Sequence, residues 1–178
     1  MVSRLEEYRE AKLIFNQIKL ELGITAEVKL GVMVEVPSVA LMSDIFAREV
    51  DFFSIGTNDL SQYTLAIDRS NTSLATYVDH LHPAVLRNIE LVVRGAQLTK
   101  IPVSVCGLMA SEKLALPVLI GLGITELSMS INVIAENKAL IRKLSLTECQ
   151  TAAKKCLDMA TAGEVRGYLT DKFATVLV

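Results

Sequence analysis

Four short stretches of this 178-residue chain carry side chains that could do chemistry. Glu35 stands inside the apolar run GVMVEVP. A carboxylate in such company must be paired, protonated or bound to a metal, unless it is an exposed strand-end group bonded to a nearby loop. Gly56-Thr57-Asn58-Asp59 follows a second apolar run, DFFSI. Gly56 allows a tight turn and close approach of the backbone to a ligand, and Asp59 is a hard-oxygen ligand. Two carboxylates at neighbouring strand ends suit Mg2+, whose octahedron a phosphate and waters complete. Thr-Asn-Asp is also ordinary turn and helix-cap chemistry; Glu35 is what favours the metal reading. Asp68-Arg69 offers the guanidinium fork that grips phosphate or carboxylate, although most arginines are surface charges. Cys106-Gly107 ends a third apolar run, IPVSVC. Its thiol is either a small buried hydrophobe or, at a strand tip facing the same opening, a proton donor.

Elements must bring these groups together. Residues 3–22 read as a helix, with Leu5, Tyr8, Ala11, Ile14, Phe15, Ile18 and Leu22 on one face. Strands are expected over 28–36, 51–55, 101–106 and 124–130, nearly continuous in apolar character as in parallel sheets buried on both faces. Helices are expected over 38–50, 82–100, 114–120, 132–143, 146–161 and 163–175. GTNDLSQY (56–63) and GLMASEK (107–113) read as loops. Thr147 and Thr161–Glu164 offer cap-like helix starts. His82, beside Pro83, is a cap or surface residue at a helix start, and Cys149 and Cys156 fall in a helical pattern as packing residues. No serine or cysteine triad is visible.

One helix and then four βα units mean an α/β fold with a parallel sheet and right-handed crossovers. Four units fit either half of a (β/α)8 barrel or a small open doubly wound sheet. No GxGxxG follows a strand, which weakens the dinucleotide reading. A whole barrel needs roughly 250 residues, so the chain is expected to be one partial domain, 1–178. In both architectures, working groups sit at the carboxyl ends of strands, where Glu35, Asp59 and Cys106 fall.

Composition narrows the class. The chain is 51% apolar and 21% charged with net charge −2, which is globular rather than disordered. The charges are interspersed, so no nucleic-acid or membrane partner is expected. No apolar run reaches the ~18–20 residues of a membrane span, and the charged N-terminus lacks a signal-peptide core. The expected location is the cytoplasm. Three widely spaced cysteines without a CxxC argue against a disulfide framework or zinc site.

The ordered motifs GVMVEVPS, EVDFFSIGTNDLSQYTLAIDRSN, LHPAVLRNIE, VCGLMA and IGLGITELSMS together resemble the C-terminal phosphoenolpyruvate-binding barrel of enzyme I of the bacterial sugar phosphotransferase system, the phosphoenolpyruvate–protein phosphotransferases. The likeness runs from about residue 27 to the end. Pyruvate phosphate dikinase and phosphoenolpyruvate synthase share the superfamily and remain an alternative, but QYTLAIDRSN looks more like enzyme I. EVPS and LHPAVLRNIE lean towards its nitrogen-regulatory branch or multidomain fructose-type fusions.

The resemblance implies the C-terminal half of a (β/α)8 barrel. It implies that Glu35 and Asp59 bind Mg2+, that Asn58 and Arg69 hold the phosphate, and that Cys106 is the general acid giving pyruvate. It also implies a dimer, a phospho-accepting histidine on a separate domain and a histidine-bearing phosphocarrier protein downstream. Leu108 departs from the acid the family usually places after Cys-Gly, which could alter the loop, and Ser111-Glu112 replaces a Gly-Asp pair. Neither His80 nor His82 lies in the phospho-acceptor motif. The chain alone is therefore expected to be inactive. The alternatives are a dimerisation module or a sensor that binds phosphoenolpyruvate without turning it over.

Overall fold

The structure is a computed structural model and describes residues 1–68, 71, 73, 74 and 77–177. The expected phosphate ligand Arg69 lies outside the described residues. The chain opens on α1 (Leu5–Glu21). Glu7 caps it by accepting from the Ser3 and Arg4 amides at 2.7 and 3.1 Å. Those bonds hold the Glu7 carboxyl at about 2, well below its ordinary 4.5. Only Tyr8 of the expected apolar face is buried; its hydroxyl donates to the Glu49 carbonyl at 2.9 Å. Leu13, Ile14, Ile18 and Leu22 are exposed, so one half of the helix docks and the other is left uncovered.

The expected strand 28–36 shrinks to β1 (Val32–Val34). As an edge strand it has a ladder partner on one side only. Upstream, the chain is tied instead by Asp51, whose carboxylate accepts from the Leu30 amide at 2.6 Å. Pro37 opens α2 (Pro37–Leu41), and the expected helix 38–50 breaks at Met42 before α3 (Ser43–Phe46). The break adjoins a close backbone contact: a Cβ on Gly95 would stand 2.7 Å from the Ser43 carbonyl carbon. Ser43 also donates to the Leu91 carbonyl at 2.9 Å.

β2 (Phe53–Gly56) leads directly into α4 (Thr57–Leu65). The segment expected as a polar loop is thus helical. Its inward positions Thr57, Leu60 and Ser61 are buried, two of the three being polar, so hydrophobic periodicity could not reveal it. α5 (Pro83–Thr99) begins as expected, with His82 Nδ1 accepting from the Ala84 amide at 3.1 Å. β3 (Val103–Cys106) is followed by the turn-length helix α6 (Leu108–Ser111) and a 3₁₀ turn at Lys113–Ala115, where a loop was expected. Then come α7 (Leu116–Leu122), β4 (Glu126–Leu127), α8 (Ile131–Ile141), α9 (Leu146–Leu157), α10 (Ala162–Lys172) and α11 (Ala174–Leu177). Of the two cap-like starts, Thr161 does cap α10, accepting from the Glu164 amide at 3.1 Å, whereas Thr147 lies inside α9. Among the described residues no helix is long and apolar enough to cross a membrane.

The four strands form one parallel sheet in the order β1-β2-β3-β4, so the fold is α/β with a sequentially wound parallel sheet. Register aligns Val34 with Ile55, Ile55 with Val105 and Val105 with Leu127. Side chains alternate across a sheet. Val32, Val34, Phe53, Ile55, Val103 and Val105 point to one face and are buried, where α2 and α5 pack. The opposite face carries Met33, Ser54, Ser104 and Glu126, and Met33 is 45% exposed. It lines a cavity of about 480 Å3. The strands are therefore buried on one face, not both. Apolar composition alone misled here: Phe52 and Pro102, inside the expected strands, precede β2 and β3 and line the cavity on the open face.

Candidate functional site at the carboxyl ends of the strands

Parity sets the site. Val34, Ile55 and Val105 are in register, so the next row is Glu35, Gly56 and Cys106; Gly56 and Cys106 are direct ladder partners. All three belong to the face that carries Met33 and Ser54. With strands ~4.8 Å apart, Glu35 and Cys106 stand ~10 Å apart across the glycine. Gly56 leaves that gap open. A Cβ there would lie 2.9 Å from Glu35 Cγ and 3.3 Å from Met33 Sδ, so the Glu35 side chain lies over the glycine.

Behind the gap, Gly56 is the N-terminal cap position of α4, and Asn58 and Asp59 occupy its first turn, half-buried. Asp59 is thus a first-turn residue and not a cap. Thr57 Oγ1 donates to the Cys106 carbonyl at 3.0 Å. Asn58 Oδ1 accepts from the Leu108 amide at 3.1 Å, joining the loop after β3 to the first turn of α4. Gly107 sits between them with φ +104°, and a Cβ there would come within 2.7 Å of Thr57 Oγ1. Both its conformation and this contact require glycine.

The Cys106 thiol is half-exposed. It donates to the Ile55 carbonyl and accepts from Ser54 Oγ, each at 3.5 Å. Cys149 and Cys156 are buried. Burial pushes both thiols up, Cys156 to about 11, which suits packing residues and not nucleophiles.

His80 is the residue that sequence reasoning passed over. Its Nδ1 pairs with Ser61 Oγ at 3.0 Å. Burial holds it below its ordinary 6.5, so it braces α4 as a neutral ring. Next to it, Asp79 meets Arg166 of α10, which also reaches Glu112 beyond α6. The only sequence signal was the run Asp79-His80-Leu81-His82 before a proline.

Among the described residues no group of three or more His, Cys, Asp or Glu side chains forms a metal cage. Two carboxylates follow the strand ends, Glu35 after β1 and Asp59 in the first turn of α4. The Glu35 side chain lies over the gap at Gly56, and carboxylate oxygens are the donor type that Mg2+ takes alongside waters and substrate oxygens rather than a full protein shell, so the residue types present would fit it.

The family model described as "PEP-utilising enzyme, PEP-binding domain" matches residues 1–146. The chain is 44% identical over 173 residues to a phosphoenolpyruvate-protein phosphotransferase of Mycoplasma pneumoniae, covering 97% of this chain and 30% of that protein. It is 41% identical to the phosphoenolpyruvate-protein phosphotransferase of Bacillus subtilis, covering 97% of this chain and 31% of that protein. It is 46% identical to a multiphosphoryl transfer protein of Rhodobacter capsulatus, covering 94% and 20%. The chain spans about 30% of the length of the phosphotransferases it matches. On the strength of the matched domain, this chain belongs to the phosphoenolpyruvate-utilising enzymes and carries their phosphoenolpyruvate-binding domain.

Proposed function

We propose that this chain supplies the cation-binding and proton-donating side of a phosphoenolpyruvate site in a phosphoenolpyruvate–protein phosphotransferase. The observation that carries the reading is the row Glu35–Gly56–Cys106, with Asn58 and Asp59 in the turn behind it. Glu35 and Asp59 would hold Mg2+, which when bound supplies charge neutralisation for the phosphate. Phosphoryl transfer needs alignment and charge compensation more than covalent help. Asn58 orients the phosphate, together with Arg69. The Cys106 thiol delivers its proton to the substrate carbon as pyruvate forms. The phosphoryl group passes to a protein histidine beyond this chain and on to a phosphocarrier protein, in the cytoplasm.

The architecture proposed for the chain is half of a (β/α)8 barrel, one partial domain over 1–178. Two features support it. Strand order is sequential with no switch point, and the helices lie on one face only, whereas doubly wound sheets are covered on both. The open face carries the residues that would line a barrel interior. Exposed apolar residues Leu13, Ile14, Ile18 and Leu22 favour a further role in assembly, with a second copy as occupant. Light scattering across concentrations tests that; a monomer throughout would exclude it.

Calorimetric titration of phosphoenolpyruvate, with and without Mg2+, tests the site. Binding that requires Mg2+ and is lost in Glu35→Gln supports it. Binding indifferent to Mg2+ and to that substitution would sink it.

A further inference from the structure

Arg166 lies beyond residues 1–146 matched by the family model. It sits on α10 yet bonds two carboxylates from elsewhere. Its Nε and Nη2 donate to Asp79 at 2.6 and 2.9 Å, and its Nη1 donates to Glu112 at 2.6 Å. Asp79 precedes α5, and its carboxylate also accepts from the Leu81 amide at 2.9 Å. Glu112 closes the segment that starts at Cys106.

These bonds belong to a ring. From Arg166 the links run through Glu112 into the loop 107–112. They return through the Leu108 amide to Asn58 on α4. From α4 they pass through Ser61 to His80, and so back to its neighbour Asp79. A further restraint comes from Asn137 of α8, whose Nδ2 donates to the Ser111 carbonyl at 3.2 Å. We propose that Arg166 is a positioning residue: it holds the loop that follows Cys106 against the first turn of α4, fixing the thiol relative to Asn58 and Asp59. The inference rests on the reading of those three residues given above, and extends the site to a helix that contributes no ligand.

Several facts favour a clamp over a surface ion pair. A guanidinium fork bidentate to Asp79 and monodentate to Glu112 is pre-organised, which an isolated exposed pair is not. The two carboxylates come from segments 33 residues apart, each adjoining a site element. Arg166 is raised above its ordinary value, chiefly by the hydrogen bond to Asp79. Burial opposes ionisation of Asp79, but the bonds from Arg166 and the Leu81 amide outweigh it and hold the carboxyl below its usual range.

Site-resolved labelling by iodoacetamide tests the clamp on this chain, without Mg2+ or phosphoenolpyruvate. Cys106 is half-exposed, while buried Cys149 and Cys156 serve as internal reporters of unfolding. Arg166→Met and the milder Glu112→Gln should each speed Cys106 labelling about fivefold or more relative to the two reporters, as local opening of a loop would. Arg166→Lys, which keeps the charge without the fork, should label more slowly than Arg166→Met. An unchanged Cys106 rate, three cysteines accelerating together in both variants, or Lys labelling as fast as Met would overturn the inference. A loop that stays held fails this inference alone. Absence of Mg2+-dependent phosphoenolpyruvate binding fails the functional reading alone.

Discussion

Gly56→Ala separates the site from the fold. The glycine backbone has φ −83° and ψ 83°, with no positive φ, so alanine meets no backbone strain there. The three atoms nearest the added methyl are all in side chains: Glu35 Cγ at 2.9 Å and Met33 Cγ and Sδ at 3.3 Å. Met33 is 45% exposed and Glu35 half-buried, so both can swing aside. The stability cost should be modest, ~1–2 kcal/mol, as for a tolerated added methylene. The cost to cation binding should be large, because the atom that must move belongs to a proposed ligand. Misplaced supporting geometry lowers metal affinity roughly 10–100-fold. Urea unfolding followed by circular dichroism gives the first quantity and Mg2+ calorimetry the second. A variant that keeps its fold and binds Mg2+ within about twofold of wild type would refute the assignment of Glu35 as a ligand. A loss above ~4 kcal/mol would show that the neighbours cannot give way, against the packing argument.

Gly121→Ala should behave in the opposite way. Its methyl would meet the Cys149 backbone carbonyl and, at 2.9 Å, Ala153 Cβ, where α7 crosses α9. Backbone cannot swing aside, so a loss of ~3 kcal/mol, roughly 10 °C in Tm, is expected by calorimetry; an unchanged Tm would contradict the close contact. Phe53→Ala empties a fully buried core position and should cost ~3–5 kcal/mol in urea unfolding, with a loss below ~1 kcal/mol counting against it. The Glu7 carboxyl, held at about 2 by the amides it caps, is depressed in the folded state. Its contribution to α1 is full above the ordinary 4.5 and is lost as pH falls towards about 2. An NMR titration of that carboxyl with its midpoint at the ordinary value would rule out the cap.

Much of this arrangement was legible in the residues. Strand–turn–helix order, the four-strand parallel sheet, and the placing of Glu35, Asp59 and Cys106 at strand ends follow from β-branched runs closed by Pro37, Gly56 and Gly107. The helix start at Pro83 and the packing roles of Cys149 and Cys156 were equally readable, while His82 could be read as a cap or as a surface residue. What escaped has a common cause. α4 buries Thr57 and Ser61, polar residues satisfied by a Cys106 carbonyl and by His80, and periodicity of apolar residues cannot register such a face. The split of the helix at Met42 depends on the backbone of α5 coming close at Gly95, and the ring through Arg166 spans 87 residues from Asp79. Tertiary contacts decide both. The helix expected over 3–22 is present as Leu5–Glu21, but its apolar stripe is half exposed, because pattern reports which face could be buried and not whether a neighbour covers it.

The central claim is that Glu35, Asp59 and Cys106 share one cation-bearing mouth. Paramagnetic Mn2+ substituted for Mg2+, in the presence of phosphoenolpyruvate, tests it directly through distance-dependent broadening of backbone amide signals. Broadening centred on residues 35, 56–59 and 106–107, and absent in Asp59→Asn, is the expected pattern. Broadening that is scattered over surface carboxylates such as Glu136 and Glu148, with those strand ends left sharp, would contradict it.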